Sequence, residues 1–85
     1  MRGIYEIYIA GYSYVGQAVN IGKRRSEHFS ALQRGAHKNP FIQSVFDKYG
    51  LPEFRVLEQV PAGTNLLPAE QRWFDARVEE LGRTR

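Results

Sequence analysis

Four residues near the start of the chain have side chains and spacing suited to chemistry on a phosphate. Tyr5 and Tyr14 are nine residues apart, and Arg24 and His28 follow with the four-residue spacing of one helical turn. An arginine is permanently charged, and its planar fork fits phosphate oxygens. Tyrosine and histidine side chains can move or orient a proton. The four residues therefore predict a site that activates a water molecule and stabilises the charge that develops on phosphorus.

The segment that carries the two tyrosines is predicted to be a β-hairpin. Residues 3–10 and 12–18 are rich in Ile and Tyr, and a turn rich in small residues separates them. In the register set by that turn, Tyr5 faces Gly16, which lacks a side chain and leaves open space beside the tyrosine ring. Tyr14 then lies on the same face, as a diagonal neighbour about 7–8 Å away. A slip of one residue would separate the two tyrosines.

Caps, glycines and apolar spacing predict three helices and a third strand. The order ββααβα predicts a single α+β domain over residues 1–85, with a small three-stranded antiparallel sheet and flanking helices. The predicted elements are a helix from about residue 21 to 34 after Asn20, a helix over 40–49 opened by Pro40 and ended by Gly50, a strand over 54–60, and a last helix capped by Thr64 or Asn65 with apolar residues Leu66, Leu67, Trp73, Phe74, Val78 and Leu81.

Composition fits a small basic domain and excludes some classes of protein. The chain has 85 residues, a net charge of +3 and a sequence pI near 9.5, which suits an anionic partner without requiring one. It has no cysteine, so disulfide frameworks and thiolate metal sites are excluded. No apolar run reaches the length of a membrane span. We therefore expect a soluble, cytoplasmic protein with no membrane partner.

The tripeptides Gly3-Ile4-Tyr5 and Tyr14-Val15-Gly16 resemble the paired motif of the GIY-YIG nuclease family. The resemblance covers nearly the whole chain and is strongest to the phage and intron-homing branch, in which a segment similar to residues 35–50 follows the first helix. The tripeptides alone are a weak signal, but together with correctly spaced Arg, His and Glu residues they are a strong one. The resemblance implies a catalytic role for Tyr5, Tyr14, Arg24, His28 and His37, DNA contacts by Lys23, Arg25, Lys38 and Asn39, and a structural role for Gly3 and Gly16.

The resemblance further implies that Glu70 binds one Mg²⁺ or Mn²⁺ ion. Mg²⁺ keeps several waters and often takes only one or two protein carboxylates, so a single glutamate is sufficient. No second acid lies near Glu70 at ligand spacing, which argues against a two-metal mechanism. Family members differ over which tyrosine accepts the proton, and the sequence leaves both open. The asparagine that usually follows the last helix of the family has no counterpart in residues 81–85.

We therefore expect a metal-dependent endonuclease that hydrolyses phosphodiester bonds in DNA. One site should nick one strand at a time with little sequence preference, because no separate recognition region is identified in the sequence. Cleavage of both strands would need a transient dimer, rebinding, or a DNA-recognition domain or partner outside this chain. The alternative is a non-catalytic module that binds nucleic acid and keeps the nuclease fold. The sequence also leaves open whether the domain acts alone or within a longer protein.

Overall fold

The computed structural model describes residues 1–50 and 52–81. It contains an antiparallel sheet of three strands in the order β2-β1-β3, together with three helices. The predicted α+β class and the order ββααβα are confirmed. None of the helices in the described ranges is both long and apolar enough to cross a membrane. The elements are β1 (Gly3–Ile9), β2 (Tyr12–Ala18), α1 (Ile21–Gln33), α2 (Pro40–Tyr49), β3 (Glu53–Gln59) and α3 (Leu66–Leu81).

The hairpin between β1 and β2 has the predicted register. Its two turn residues, Ala10 and Gly11, have φ angles of 50° and 86°, as in the tight turns that match the twist of paired strands. Tyr5 is opposite Gly16, and Tyr14 is opposite the residue two positions after Tyr5. Because side chains alternate along a strand, both tyrosines lie on the same face of the sheet. That prediction is confirmed.

The helices lie on both faces of the sheet, so the domain has two apolar cores. On one face, Ile7 and Ile9 of β1 pack against α1 and α2 together with Leu32 and Ile42. On the other face, the neighbouring strand residue Ile4 packs with α3. α3 also contacts β2, which is an edge strand of the sheet. β2 therefore links the face that carries the tyrosines to the helix that carries Glu70.

Side-chain caps set the starts of the helices. The Asn20 side-chain oxygen accepts a hydrogen bond from the Lys23 amide at the start of α1. The last helix is capped by Asn65 rather than Thr64, since the Asn65 side-chain oxygen accepts from the Leu67 amide. α1 ends at Gln33, one residue earlier than predicted, and β3 starts and ends one residue earlier than predicted. These shifts leave the predicted architecture unchanged.

Part of the apolar pattern predicted for α3 is not buried. Leu66 is buried and Trp73 partly buried against the sheet, as expected. Leu67, Phe74 and Val78 are 60%, 36% and 40% exposed, so these apolar residues of the helix do not line the core. They lie on one side of the helix, about a quarter of a turn from the stripe that faces the sheet. The side chain of Leu81 lies outside the described residues, as do residues 82–85.

Candidate active site

A cavity of about 510 Å³ opens on the sheet face that α1 and α2 cover. Its walls come from both strands of the hairpin, from one edge of α1 and from the loop after α1. Residues distant in sequence therefore share one concave surface. The cavity brings together all five residues for which the sequence predicted catalytic roles, namely Tyr5, Tyr14, Arg24, His28 and His37.

The centre of the cavity is a chain of hydrogen-bonded rings. The Tyr5 hydroxyl oxygen lies 2.6 Å from His28 Nε2, and His28 Nδ1 lies 2.7 Å from His37 Nε2. The two imidazoles stack with their centroids 4.9 Å apart. The Tyr14 ring meets both imidazoles edge-on, at 5.4 and 5.9 Å. Two tyrosines from the hairpin and two histidines from α1 and the following loop thus form one contact group.

Two glycines are required by close packing, one against the Tyr5 ring and one against the backbone of β3. A Cβ on Gly16 would lie 2.5 Å from the Tyr5 ring and hydroxyl. The space beside Gly16 is therefore filled by the tyrosine, rather than open as the sequence predicted. A Cβ on Gly3 would lie 2.0 Å from the carbonyl oxygen of Glu58 in β3. Larger residues at either position would displace the strands or the ring that shape the cavity.

Burial keeps the aromatic and imidazole groups of the cavity neutral. It raises the pKa of Tyr5, and the charge of Tyr14 raises it further, while Arg24 has a smaller lowering effect. Burial also raises the pKa of Tyr14. For His28, burial and then His37 and Arg24 lower the pKa to about 4, and burial lowers that of His37. At neutral pH these four cavity side chains are therefore two phenols and two neutral imidazoles.

Arg24 projects from the edge of α1 into the cavity and is 48% exposed. Its Nη1 lies 3.8 Å from Oε1 of Glu27, which is 52% exposed and also lines the cavity. Glu27 was not predicted from the sequence as a site residue. The three-residue spacing from Arg24 on a predicted helix was the available signal, because residues three apart share a helix face.

The four residues predicted to contact DNA are in different environments. Lys38 lines the main cavity, and Lys23 lines a smaller neighbouring cavity of about 230 Å³ that shares Arg24 with the first. Arg25 instead places its guanidinium 4.7 Å from the centre of the Phe29 ring, on a different side of α1. The side-chain oxygen of Asn39 accepts the first amides of α2 and is used as a helix cap.

Glu70 lies near the tyrosines although α3 packs on the opposite face of the sheet. Its negative charge raises the pKa of both Tyr5 and Tyr14, and burial raises its own pKa. Within residues 1–50 and 52–81, its carboxylate has no hydrogen-bond or ion-pair partner. Those residues also contain no group of three or more acidic or histidine side chains arranged to hold a metal ion. Glu70 is thus a single, uncompensated carboxylate close to the ring cluster.

The fold of this chain matches that of a nuclease catalytic domain among solved structures. The catalytic domain of homing endonuclease I-TevI superposes with a TM-score of 0.81 at 30% identity, covering 96% of this chain and 89% of that one. A single-residue variant of the same domain gives a TM-score of 0.76 at 30% identity, covering 95% and 84%. The chain belongs to the endonuclease family that this catalytic domain represents.

A curated relative extends the comparison to a whole protein. The chain is 35% identical over 82 residues to intron-associated endonuclease 1 of Enterobacteria phage T4. The match covers 93% of this chain but only 32% of the relative, so the chain spans about a third of that protein's length. No protein-family model matches the chain.

Proposed function

We propose that this domain is a GIY-YIG nuclease that hydrolyses phosphodiester bonds in DNA with the help of one divalent cation. The observation that carries the proposal is the convergence of Arg24, two tyrosines and two histidines in one cavity of a chain that belongs to an endonuclease family. The paired tripeptides that carry the tyrosines support the GIY-YIG assignment. The proposed setting is phage or other mobile DNA, because the curated relative is an intron-associated phage endonuclease.

Arg24 would bind the scissile phosphate and stabilise the charge that develops on it. Its guanidinium is half exposed at the cavity wall, and Glu27 is its nearby acidic partner. An exposed ion pair at this distance contributes little, so an incoming phosphate can compete for the guanidinium. A preorganised cation placed where charge develops is among the strongest catalytic devices available to an enzyme.

The tyrosines would orient and exchange protons at the reacting oxygen atoms. Burial raises the pKa of both, so each is a phenol in the absence of DNA. Arg24 opposes that effect at both tyrosines. Once one of these phenols has released its own proton to solvent, the phenolate can accept a proton from the attacking water as the water oxygen bonds to phosphorus. The opposite phosphorus–oxygen bond then breaks, and the leaving oxygen takes up a proton from solvent. His28 and His37 hold the ring cluster in place.

Glu70 fits the role of cation ligand. Its carboxylate is partly buried and has no partner in the described part of the chain, and its negative charge raises the pKa of Tyr5. Such a group is costly unless a positive charge approaches it. A bound Mg²⁺ or Mn²⁺ ion would supply Lewis-acid stabilisation of the leaving oxygen and of the phosphate charge. One protein carboxylate with water and phosphate oxygens is a common ligand set for Mg²⁺.

DNA binding would rest on a small number of basic side chains around the cavity. Lys38 and Lys23 line two neighbouring cavities that both include Arg24, and the whole chain carries a net charge of +3. Phosphate contacts fix position but do not read sequence. We therefore expect weak, salt-dependent binding with little sequence preference, and nicking of one strand per encounter. Cleavage of both strands would require a second copy or a partner domain.

Plasmid relaxation tests the proposal directly. The protein should relax supercoiled plasmid in Mg²⁺ or Mn²⁺ and be inactive in EDTA. Glu70→Gln should lose that activity yet retain DNA on a gel at least as well without metal, because a repelling charge is removed. Glu79→Gln, an exposed position on the same helix, should behave like the parent protein. Undiminished relaxation by Glu70→Gln would exclude Glu70 as the ligand. DNA retention without cleavage by the parent protein would instead identify a binding module.

A further inference from the structure

The direction of the hydrogen bonds in the ring cluster follows from one backbone contact. The amide N–H of Asn39 points at His37 Nδ1, with the two nitrogens 3.0 Å apart. A backbone amide can only donate, so Nδ1 of His37 must be bare and accept. A neutral imidazole has one hydrogen, which must therefore be on His37 Nε2. Neutrality is consistent with burial, which lowers the pKa of His37.

The hydrogen on His37 Nε2 fixes the tautomer of His28 and, through His28, the direction of the hydrogen bond to Tyr5. The hydrogen on His37 Nε2 is donated across 2.7 Å to His28 Nδ1, which must accept it. His28, also neutral, then carries its hydrogen on Nε2 and donates it across 2.6 Å to the Tyr5 hydroxyl oxygen. The reverse direction is excluded because it would require a hydrogen on His37 Nδ1, facing the Asn39 amide hydrogen.

A buried glutamine holds the loop that begins this chain of bonds. Gln43 accepts the backbone N–H of His37 at 3.0 Å through its side-chain oxygen. Its side-chain nitrogen donates to the Leu32 carbonyl at 3.0 Å and to Asp47 at 2.8 Å. All of its polar atoms are used, so the position of His37 is tied to the end of α1 and to α2. The donor chain therefore starts from a fixed point.

We propose that Asn39, His37 and His28 form a one-way chain of donors that presets the Tyr5 hydroxyl as the proton-exchanging group of the site. The inference rests on the proposed nuclease function. Because the Tyr5 oxygen accepts from His28, its own hydrogen is directed elsewhere, toward the cavity. His28 cannot remove that hydrogen, since its facing nitrogen is already protonated. His28 and His37 are thus positioning residues, and a phenolate formed on Tyr5 would be stabilised by the His28 N–H.

The tautomers can be measured on the metal-free protein without DNA. The chain has two histidines, so a long-range ¹H–¹⁵N correlation spectrum of labelled protein at pH 7 contains four imidazole nitrogens. We expect both rings to show a protonated Nε2 and a bare Nδ1. A protonated Nδ1 on either ring, or signals averaged between tautomers, would overturn the proposal. Because no cleavage is involved, this outcome is independent of whether the protein proves to be a nuclease.

Variants at His37 separate positioning from general structural support. His37→Ala removes the donor to His28, so the His28 nitrogens should shift toward averaged values and kcat should fall by up to about 10²-fold with KM little changed. His37→Gln keeps an amide donor and should restore both the His28 Nε2–H signal and most of kcat. Tyr8→Phe, a tyrosine on the opposite sheet face, is the matched control. An unchanged His28 spectrum in His37→Ala would refute the chain of donors.

Discussion

Two adjacent residues of β1, Tyr5 and Glu6, point to opposite faces of the sheet and enter two different polar clusters. Tyr5 lines the cavity described above together with the half-exposed Arg24. Glu70 is not among the residues that line this cavity, and its carboxylate has no partner in the described ranges. Glu6 is fully buried and its carboxylate is saturated with partners. Arginine and glutamate side chains are therefore tightly paired around Glu6 but weakly paired or without a described partner near Tyr5.

The Glu6 cluster joins four elements of the fold. Ser13 of β2 donates to one carboxylate oxygen at 2.5 Å, and Arg77 of α3 lies 2.7 Å from the same oxygen. Arg55 of β3 approaches the other oxygen at 3.3 Å. A buried charge is tolerated when it is paired and hydrogen-bonded in this way. The cluster therefore holds α3, and with it Glu70, against the sheet.

The difference indicates how this small domain separates stability from chemistry. The charges of the Glu6 cluster pair with one another, so they are unavailable to a ligand. By contrast, Arg24 is only weakly paired with Glu27, and the Glu70 carboxylate has no partner in the described ranges. A phosphate can therefore bind the first and a cation the second. Substitutions on the two faces should consequently affect different measurements.

Arg24→Ala should have the largest effect on activity. The variant loses the cation that would stabilise the transition state, and cleavage should fall by about 10²–10³-fold. Its melting temperature should hardly change, because the residue is half exposed and weakly paired. Arg72→Ala, which removes a more exposed arginine paired with Glu58 at 3.4 Å, should leave both plasmid relaxation and melting unchanged. Equal activities of the two variants would remove Arg24 from the proposed mechanism.

Glu6→Ala should show the reverse pattern, with a large loss of stability. Removing one partner from a buried ion cluster typically costs about 3–5 kcal/mol, because the remaining charges lose their compensation. Glu53→Ala removes an exposed partner of the same Arg55 and should cost no more than about 1 kcal/mol. Urea unfolding of both variants gives the comparison. A stable Glu6→Ala protein would mean that the α3 face does not depend on this cluster.

The sequence predicted the site better than it predicted this supporting cluster. The turn and the position of Gly16 specify the hairpin register, and helical spacing puts Arg24 beside His28, so local rules were enough. The pairing of Glu6 with Arg77 depends on α3 packing against the second sheet face, which no local pattern reveals.

Acid should destabilise the protein through the cavity face. The pKa of His28 is about 4 in the folded state, against an ordinary value of 6.5 in the unfolded chain. Between these pH values the unfolded state binds more protons, so stability falls as the pH is lowered through this window. Discounted for partial solvent access, the loss should be on the order of 2 kcal/mol.

A comparison of urea unfolding at pH 7 and pH 4.5 tests this dependence. His28→Gln should lose less stability over the same range than the parent protein, because its side chain does not titrate. His37 contributes in the same direction, since burial lowers its pKa too, so some dependence should persist in the variant. If both proteins lost the same free energy of unfolding between pH 7 and pH 4.5, the pKa of His28 would not be lowered in the folded state.

Of these substitutions, Glu27→Gln should have the smallest effect. It tests directly whether the weakly paired Arg24 is available to bind phosphate. Glu27 and Arg24 are each about half exposed and 3.8 Å apart, so their interaction is worth at most about 1 kcal/mol. The substitution frees Arg24 and removes a negative charge from the cavity wall. DNA binding in a titration at low salt should tighten by about two- to fivefold.

Salt and a control distinguish this electrostatic role of Glu27 from a chemical one. The tightening should shrink at 0.15 M salt, where exposed charges are screened beyond about 8 Å. Glu79→Gln makes the same charge change at an exposed site on α3 and should tighten binding less. Loss of cleavage in Glu27→Gln, comparable to that expected for Glu70→Gln, would show instead that the cavity uses two carboxylates. The single-cation proposal would then have to be replaced, because Glu27 would be a second ligand rather than a weak partner of Arg24.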